Sequence, residues 1–411
     1  MNDRIHNAFL SQVRAADLLQ QYQLGATFFA SPRRTLLAHG IKAVVPACDG
    51  SRLAATAAAA LKDAEREGEP APVLMGAVPF RLDAGSAPAR LFIPERLASG
   101  TGVAGAMEDH VAAAQSAAAR LSSAPQAQPT PDGYRNNVRH ALARIRNAEL
   151  EKVVLSRSLT LDARIDVPAL LRRLAARNLR GYTFAIDLAD QHRTLIGASP
   201  ELLLARYGRE LISHPLAGSI PRSADPAEDQ RRADGLLRSI KDLHEHALVV
   251  DAVAAAMRPY CRNLNVPAAP SLLATPTMWH LGTEICGELA DPATTSLEVA
   301  LALHPTPAVC GHPTARAREL IAEVEGFDRR YFAGLVGWCD SRGDGEWAVT
   351  LRCAEVGANS ATLYAGAGIV AGSEPELELL ETSGKLRTML GAMNLESALD
   401  AATEEAIEEA A

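Results

Sequence analysis

The chain has 411 residues, 48% of them apolar and 22% charged, with a formal net charge of −8. That is the profile of a soluble globular protein long enough to bury a large core. Aromatic residues make up only 4% and no long run of Lys or Arg occurs, which argues against a nucleic-acid-binding face; an anionic substrate has to be met by local cations, since the overall field repels it.

The opening residues, MNDRIHNAFLSQVRAADLL, contain no uninterrupted apolar stretch, so no signal peptide is expected. No segment has the length of continuous apolar sequence that a membrane span needs. The six cysteines (Cys48, Cys261, Cys286, Cys310, Cys339 and Cys353) include no CxxC pair. They read as buried thiols of a reducing cytoplasm, not as a disulfide framework or a zinc site.

In chain order, polar helix-like sequence leads to short strand candidates at 26–30 and 34–38. An Ala-rich helix is expected over 54–66 and a strand over 73–80, whereas 91–94 and the Gly-rich 99–105 carry little signal. A helix is expected over 111–122. The Pro-, Ser- and Gln-rich segment 123–133 reads as a linker. Residues 1–122 are then an N-terminal part completing a sheet scaffold, 134–395 the main functional region and 396–411 an acidic tail prone to fraying.

Past the linker, a helix over 134–147 precedes a β-branched strand over 149–161. A helix over 167–178 and a strand over 182–187 follow. Two apolar runs, 194–205 and 210–216, flank a Gly-containing turn and read as a hairpin. A polar excursion over 222–234 then leads to a helix over 235–257, with Leu237, Ile240, Leu243, Ala247 and Val250 as its apolar stripe. A strand over 279–289, a helix over 297–303, a Pro-rich loop and a helix over 314–325 come next. Residues 334–340 and 347–354 pair as a hairpin, 361–370 is a further strand, and a helix over 375–393 ends the ordered chain. Strands and helices mix without a βαβ rhythm, which predicts an α+β fold.

Several polar residues interrupt apolar patterns. Lys152 lies in the strand KVVLSR, where its simplest reading is an exposed lysine; enclosed, it becomes a usable base. Glu201 follows GASP and, if buried, can carry a proton. Asp242 and Glu245 share a helix face, with His244 and His246 beside Glu245. Neighbouring helical positions diverge by about 100°, so the His-Glu-His triplet cannot close on one zinc ion. Glu374, Glu378, Glu381 and Lys385 form a stripe on the last helix, read alone as a solvated face. Carboxylates from two helices can instead share a hard cation such as Mg2+. Residues 365–368 (Ala-Gly-Ala-Gly) leave a strand and can offer backbone N–H groups to an anion. Arg352 can fork onto a carboxylate.

These residues sit within EKVVLSR, IGASPELLL, HPLAGSIPR, KDLHEHALVV, TPTMWHLGTEICGEL, LHPTPAVCG, FDRRYFAGLVGWCDSRGDGEWAVTLRCA, YAGAGIV and ELLETSGKLRTML. In these blocks the chain from Tyr134 to Leu395 resembles the chorismate-utilising enzymes, in particular isochorismate synthases of the siderophore type. The resemblance implies two intertwined α/β halves with large antiparallel sheets and a site in the cleft between them. It implies Mg2+-dependent isomerisation of chorismate by water attack at C2 and loss of the C4 hydroxyl. Lys152 then matches the base, Glu201 the acid, and Glu245 and Glu381 the magnesium ligands, with Asp242 and Glu378 holding metal waters. Gly218, Ser219, His280, Ala308, Arg352, Gly366, Ala367, Gly368 and Lys385 match the substrate-binding set. The presence of Lys152, and of Ala217 where aminating relatives often carry a lysine, favours water as nucleophile and no obligate amidotransferase. Ala308-Val309 in place of Thr-Ala favours stopping at isochorismate over elimination to salicylate. A menaquinone-pathway enzyme shares the same chemistry, and a non-catalytic anion-binding subunit is the alternative from another class. A cytoplasmic monomer is the default expectation.

Overall fold

The computed structural model describes residues 13–83, 87–103, 119–189 and 193–398. These form antiparallel sheets of ten, nine and three strands with helices packed around them, as the α+β expectation requires. The elements that carry the functional residues are, in chain order, β1 (Lys152–Leu161), β2 (Thr194–Ser199), β3 (Leu202–Tyr207), β4 (Glu210–His214), β5 (Leu216–Pro221), α1 (Ile240–Met257), β6 (Met278–Gly282), β7 (Gly345–Val349), β8 (Cys353–Val356), β9 (Ala361–Ile369) and α2 (Pro375–Met393). The ten-stranded sheet runs β1-β9-β8-β2 through its middle, the nine-stranded sheet contains β4-β3-β7, and the small sheet joins β5 to β6.

Strands from the N-terminal third extend both large sheets: Thr27–Ala30, Arg34–His39 and Arg96–Thr101 in one, Ala43–Val44, Val73–Val78 and Arg90–Ile93 in the other. The ten-stranded sheet is covered on both faces. In Thr27–Ala30, Phe29 enters the larger core while Phe28 and Ala30 enter the second. A strand buried on both sides reads as a continuous apolar run with no alternation to mark its limits.

That loss of alternation explains the main corrections to the expected elements. The run 194–205 is two strands, β2 and β3, in different large sheets, separated by Pro200-Glu201. The run 210–216 breaks at Pro215 into β4 and the start of β5, and 279–289 divides into β6 and Ile285–Leu289. Likewise 347–354 passes from β7 to β8 between the two large sheets. Pro200 and Pro215 supply no backbone donor, so a ladder cannot run through them. The hairpin turn itself, with Gly208 at φ 61°, joins β3 to β4 as expected.

The polar excursion 222–234 is largely the helix Pro226–Leu236. Asp225 accepts from the Glu228 amide as N-cap and Pro226 opens the first turn, a start signal that the charge density hid. A second cap, Ser239, starts α1. Leu237 and Ile240 therefore do not belong to a buried stripe; Ile240 is 86% exposed. The buried face of α1 instead carries Glu245, His246, Val249, Val250 and Val253.

Within the supposed linker, Gln126–Gln128 pairs with β1, and a helix begins at Pro131. Most of the helix expected over 111–122 lies outside the described residues; at its end Leu121 bridges Ala163. The acidic tail falls outside them from residue 399 onward.

Candidate active site

The two passages between the large sheets lie side by side. Strand β2 pairs with β8 and β3 with β7, so Pro200-Glu201 and Thr350-Leu351-Arg352 leave one sheet for the other together. The Ala198 amide donates to the Arg352 carbonyl (3.1 Å) and the Val349 amide to the Glu201 carbonyl (3.1 Å). Arg352 takes a left-handed φ of 47° at this corner, a conformation a non-glycine residue holds only when its surroundings enforce it. The corner presents Glu201 and Arg352 to one cavity of about 650 Å3 including space open to solvent.

Glu201, Gly218, Ser219, Glu245, His280, Ala308, Arg352, Gly366, Gly368, Glu381 and Lys385 all line that cavity. Elements distant in sequence thus bring together most of the residues singled out above. Val154, Val309, Phe332, Leu351 and Tyr364 form its apolar wall, with the Phe332 and Tyr364 rings stacked at 5.2 Å. Ala367 is fully buried and is not among the lining residues, and neither are Lys152, Asp242 and Glu378.

Glu201 is 2% exposed, and its Oε1 has no hydrogen-bond partner. Burial pushes its carboxyl up to about 7, against the opposing pull of the Leu216 amide, Lys152, Arg352 and Lys385. It is a carboxylic acid poised to hold a proton near neutrality.

Lys152 is wholly buried, with Nζ 2.8 Å from Glu245 Oε1. The contact is a charge pair without aligned hydrogen-bond geometry, which leaves Nζ without a hydrogen-bond partner. Lys241 pairs with Glu378 at 2.7 Å and Lys385 with Glu381 at 2.6 Å. Three lysines from β1, α1 and α2 therefore neutralise three carboxylates one for one. The acidic stripe on α2 is not a solvated face: Glu378 is fully buried and Glu381 only slightly exposed, although Glu374 is exposed. Positions three and four residues apart project from one side of a helix, which is why these side chains arrive together.

Within the carboxylate group the charges diverge. Burial raises the Glu378 carboxyl to about 7, and Glu381 adds to the rise. Burial also works against the Glu381 charge, but Lys385, Ser219 and Lys241 outweigh it and hold that group below its ordinary value. Asp242, packed beside Gly218, is raised by burial and by Glu245 and Glu381.

Arg352 donates from Nη2 to His280 Nε2 (3.3 Å), so the imidazole proton sits on Nδ1. Burial and the neighbouring Arg352 and Lys385 charges keep His280 uncharged. Residues 365–368 do not leave the strand; they belong to β9, hydrogen-bonded on one side to β1. Pairing with β8 stops at Leu363, so the other edge is open at Gly366 and Gly368. Lys385 Nζ donates to the Gly366 carbonyl (2.8 Å) on that edge. Because N–H and C=O of one residue point the same way and alternate along a strand, Gly366 and Gly368 direct their amides there, and Ala367 directs its amide to β1.

His246 does not face a metal. Its Nδ1–H donates to the Ala217 carbonyl (3.2 Å) and its Nε2 accepts from Thr283 (2.7 Å), while His244 is exposed. The zinc reading stays rejected. Among the described residues no group of three or more His, Cys, Asp or Glu side chains is gathered to hold a metal ion. The donor chemistry still suits a hard cation. Glu245, Glu381, Glu378 and Asp242 offer only oxygen, and the buried Glu378 Oε2 has no partner.

Sequence reasoning missed Lys241, although it stands one turn before Glu245 and on its side of the helix. It also missed the clamp formed by Arg329 and Glu325, whose charges sit within FDRR and at the end of the preceding helix. Arg329 donates to the carbonyls of Val309 (2.8 Å) and Val154 (2.7 Å), and Glu325 accepts from the Ser156 amide (2.7 Å).

A chorismate binding enzyme family model matches residues 101–394. The chain is 53% identical over 399 residues to the isochorismate synthase DhbC of Bacillus subtilis (strain 168), covering 94% of this chain and 98% of the relative. It is 46% identical to the vibriobactin-specific isochorismate synthase of Vibrio cholerae, covering 90% and 91%. Among solved structures, DhbC from Bacillus anthracis superposes with a TM-score of 0.86 at 47% identity, over 93% of this chain and all of that one.

Proposed function

Since this chain belongs to the chorismate-binding enzyme family, we infer that it isomerises chorismate to isochorismate. The similarity to DhbC and to the vibriobactin-specific enzyme supports this reaction, and siderophore supply is the role proposed for the product. The observation that carries the chemistry is Glu201: a buried carboxyl held near 7, with one oxygen unpartnered, in the same cavity as the residues that can bind an anion.

The reaction replaces the C4 hydroxyl of the ring by one at C2, with the ring double bonds shifting between them. Water attacks C2 and gives its proton to Lys152, whose amine must be uncharged at that moment. The C4–O bond breaks as Glu201 delivers a proton, so the departing group leaves as water and no atoms are lost or gained. Glu201 thus acts in the protonated form that water at neutral pH disfavours. Arg352 and the open amides of Gly366 and Gly368 take one carboxylate of the substrate, and Lys385 adds positive charge beside them. Neutral His280 fixes the guanidinium of Arg352 without repelling it. Ala308 and Val309 close the apolar side of the cavity.

Mg2+ is proposed as the cofactor, with Glu245 and Glu381 as its ligands and Asp242 and Glu378 around them; when bound it would screen the substrate's second carboxylate from these acids. Incubating purified protein with chorismate and Mg2+ and separating the products tests the reading. Isochorismate alone supports it. Salicylate with pyruvate in equal amounts would replace it with the eliminating reaction, and no conversion would remove it.

A further inference from the structure

A second cavity, of about 1070 Å3 including space open to solvent, adjoins the first. The two share Pro200 and Arg352 as lining residues. A third depression continues outward from it, sharing Arg177, Asn178, Pro200, Thr275 and Pro276. The ionisable residues along this path are strongly biased. Arg177, Arg352 and Arg387 line the second cavity against Glu396, and Arg177, Arg180 and Arg222 line the third.

Arg222 is already engaged: it grips Asp229 at 2.7 Å and stacks on Trp279. Arg177, Arg180 and Arg387 are different. They are exposed, and none has a hydrogen bond or ion pair among the described residues. Several arginines elsewhere on this surface do pair with a nearby acid, as Arg66 does with Asp63 and Arg316 with Glu319. Three unpaired guanidinium groups in one trough repel each other, and folding alone gives no reason to collect them there. In a chain of net charge −8, a dianion approaching the molecule meets an unfavourable field everywhere except where positive charge is concentrated.

We propose that this basic trough is the entrance of the reaction cavity, an outer binding site where Arg177 and Arg387 hold a carboxylate of the incoming dicarboxylate substrate before Arg352, on the shared wall, receives it. The site selects for two negative charges on a small ring compound, because one carboxylate can rest on the outer arginines while the other advances. It rests on the proposed chorismate chemistry for the identity of that substrate.

The test is steady-state kinetics of the full chain with chorismate and Mg2+, comparing the parent with R177E/R387E and R177Q/R387Q. As a control, R66E/R316E makes the same change of net charge away from the trough. At low ionic strength KM rises about tenfold in the charge-reversed pair and less in the neutral pair. The kcat stays within about twofold, the control keeps the parent's KM, and added salt narrows the difference. An active parent whose KM is unaltered in both trough variants, or raised equally by the control pair, overturns the entrance site alone. A parent inactive on chorismate removes the underlying reaction as well. If the charge-reversed pair does not fold, the neutral pair decides by the same criterion.

Discussion

Glu201 and Arg352 sit at adjacent corners where the chain passes between the two large sheets, each corner tied to the other's strand by a backbone hydrogen bond of 3.1 Å. An acid and a cation that line one cavity are thereby fixed to the same junction. Both side chains are also buried, which restricts their movement and suits a site organised before a ligand arrives.

The first prediction concerns Glu201. Its folded-state pKa of about 7 lies above the ordinary 4.5, so the native state favours the protonated form. The stability this gives is complete below about 4.5 and is lost as pH rises through about 7, at an order-of-magnitude cost of ~3 kcal/mol once the group is ionised. Glu201→Gln removes the ionisation. Chemical denaturation at pH 8 should find the variant at least as stable as the parent, with the gap closing toward pH 5. Its turnover should fall by about a thousandfold or more. In the parent, kcat should decline above about pH 7 as the acid form is depleted. Near-normal turnover by Glu201→Gln removes the assigned role.

Gly368 makes the second case. A Cβ there would lie 2.0 Å from Glu245 Oε1 and 3.0 Å from Lys152 Cε. Gly368→Ala should therefore displace both the proposed base Lys152 and the proposed metal ligand Glu245. The expected result is a folded protein losing about 1–3 kcal/mol of stability and at least a hundredfold in kcat/KM. Circular dichroism and product chromatography on one preparation check both halves. Unimpaired activity would show that the glycine is not what keeps this space clear.

How far the sequence foretold this arrangement depends on which physical signal each part leaves. The last helix was readable to the residue, Pro375–Met393, because a proline opens it and its periodicity is long. Tyr182–Asp187 was equally clear. The corners at Glu201 and Arg352 were not, because strands buried on both faces run together as one apolar stretch. Which way Glu378 faces could not be read either: a stripe of acids looks alike on a wet or a dry face, and only the approach of Lys241 from α1 reveals that it is buried. The identity of the site residues came chiefly from the resemblance to known enzymes. Their pairing, Lys152 with Glu245 and Lys241 with Glu378, had no counterpart in any local pattern.

The third prediction is structural. Arg329 and Glu325 are almost completely buried and clamp Val154, Ser156 and Val309, so they hold β1 against the cavity's apolar wall. Removing one partner of such a pair strands the other, at a cost of about 3–5 kcal/mol. Glu325→Gln should lower the thermal midpoint clearly, and Arg329→Met more so, because two backbone carbonyls also lose their donor. Unchanged midpoints in both would mean that the clamp is dispensable.

The fourth concerns the metal. The three lysine–carboxylate pairs are mutually neutral, so a divalent ion entering near Glu245 and Glu381 must compete with Lys152 and Lys385 for those oxygens. Mg2+ affinity should accordingly be modest, and activity should disappear with EDTA and return with added Mg2+. Glu245→Gln and Glu381→Gln should each raise the Mg2+ concentration for half-maximal activity about tenfold or more. Binding has a second readout that needs no turnover. An ion that binds only the folded state raises the thermal midpoint with its concentration, by about 2.7 kcal/mol of stabilisation at a hundred times its Kd. That shift should be present in the parent, weak in both glutamine variants, and intact in Glu201→Gln, whose carboxyl lies outside the proposed ligand set. A parent whose midpoint and activity ignore Mg2+ and EDTA alike would leave these carboxylates with a purely structural duty.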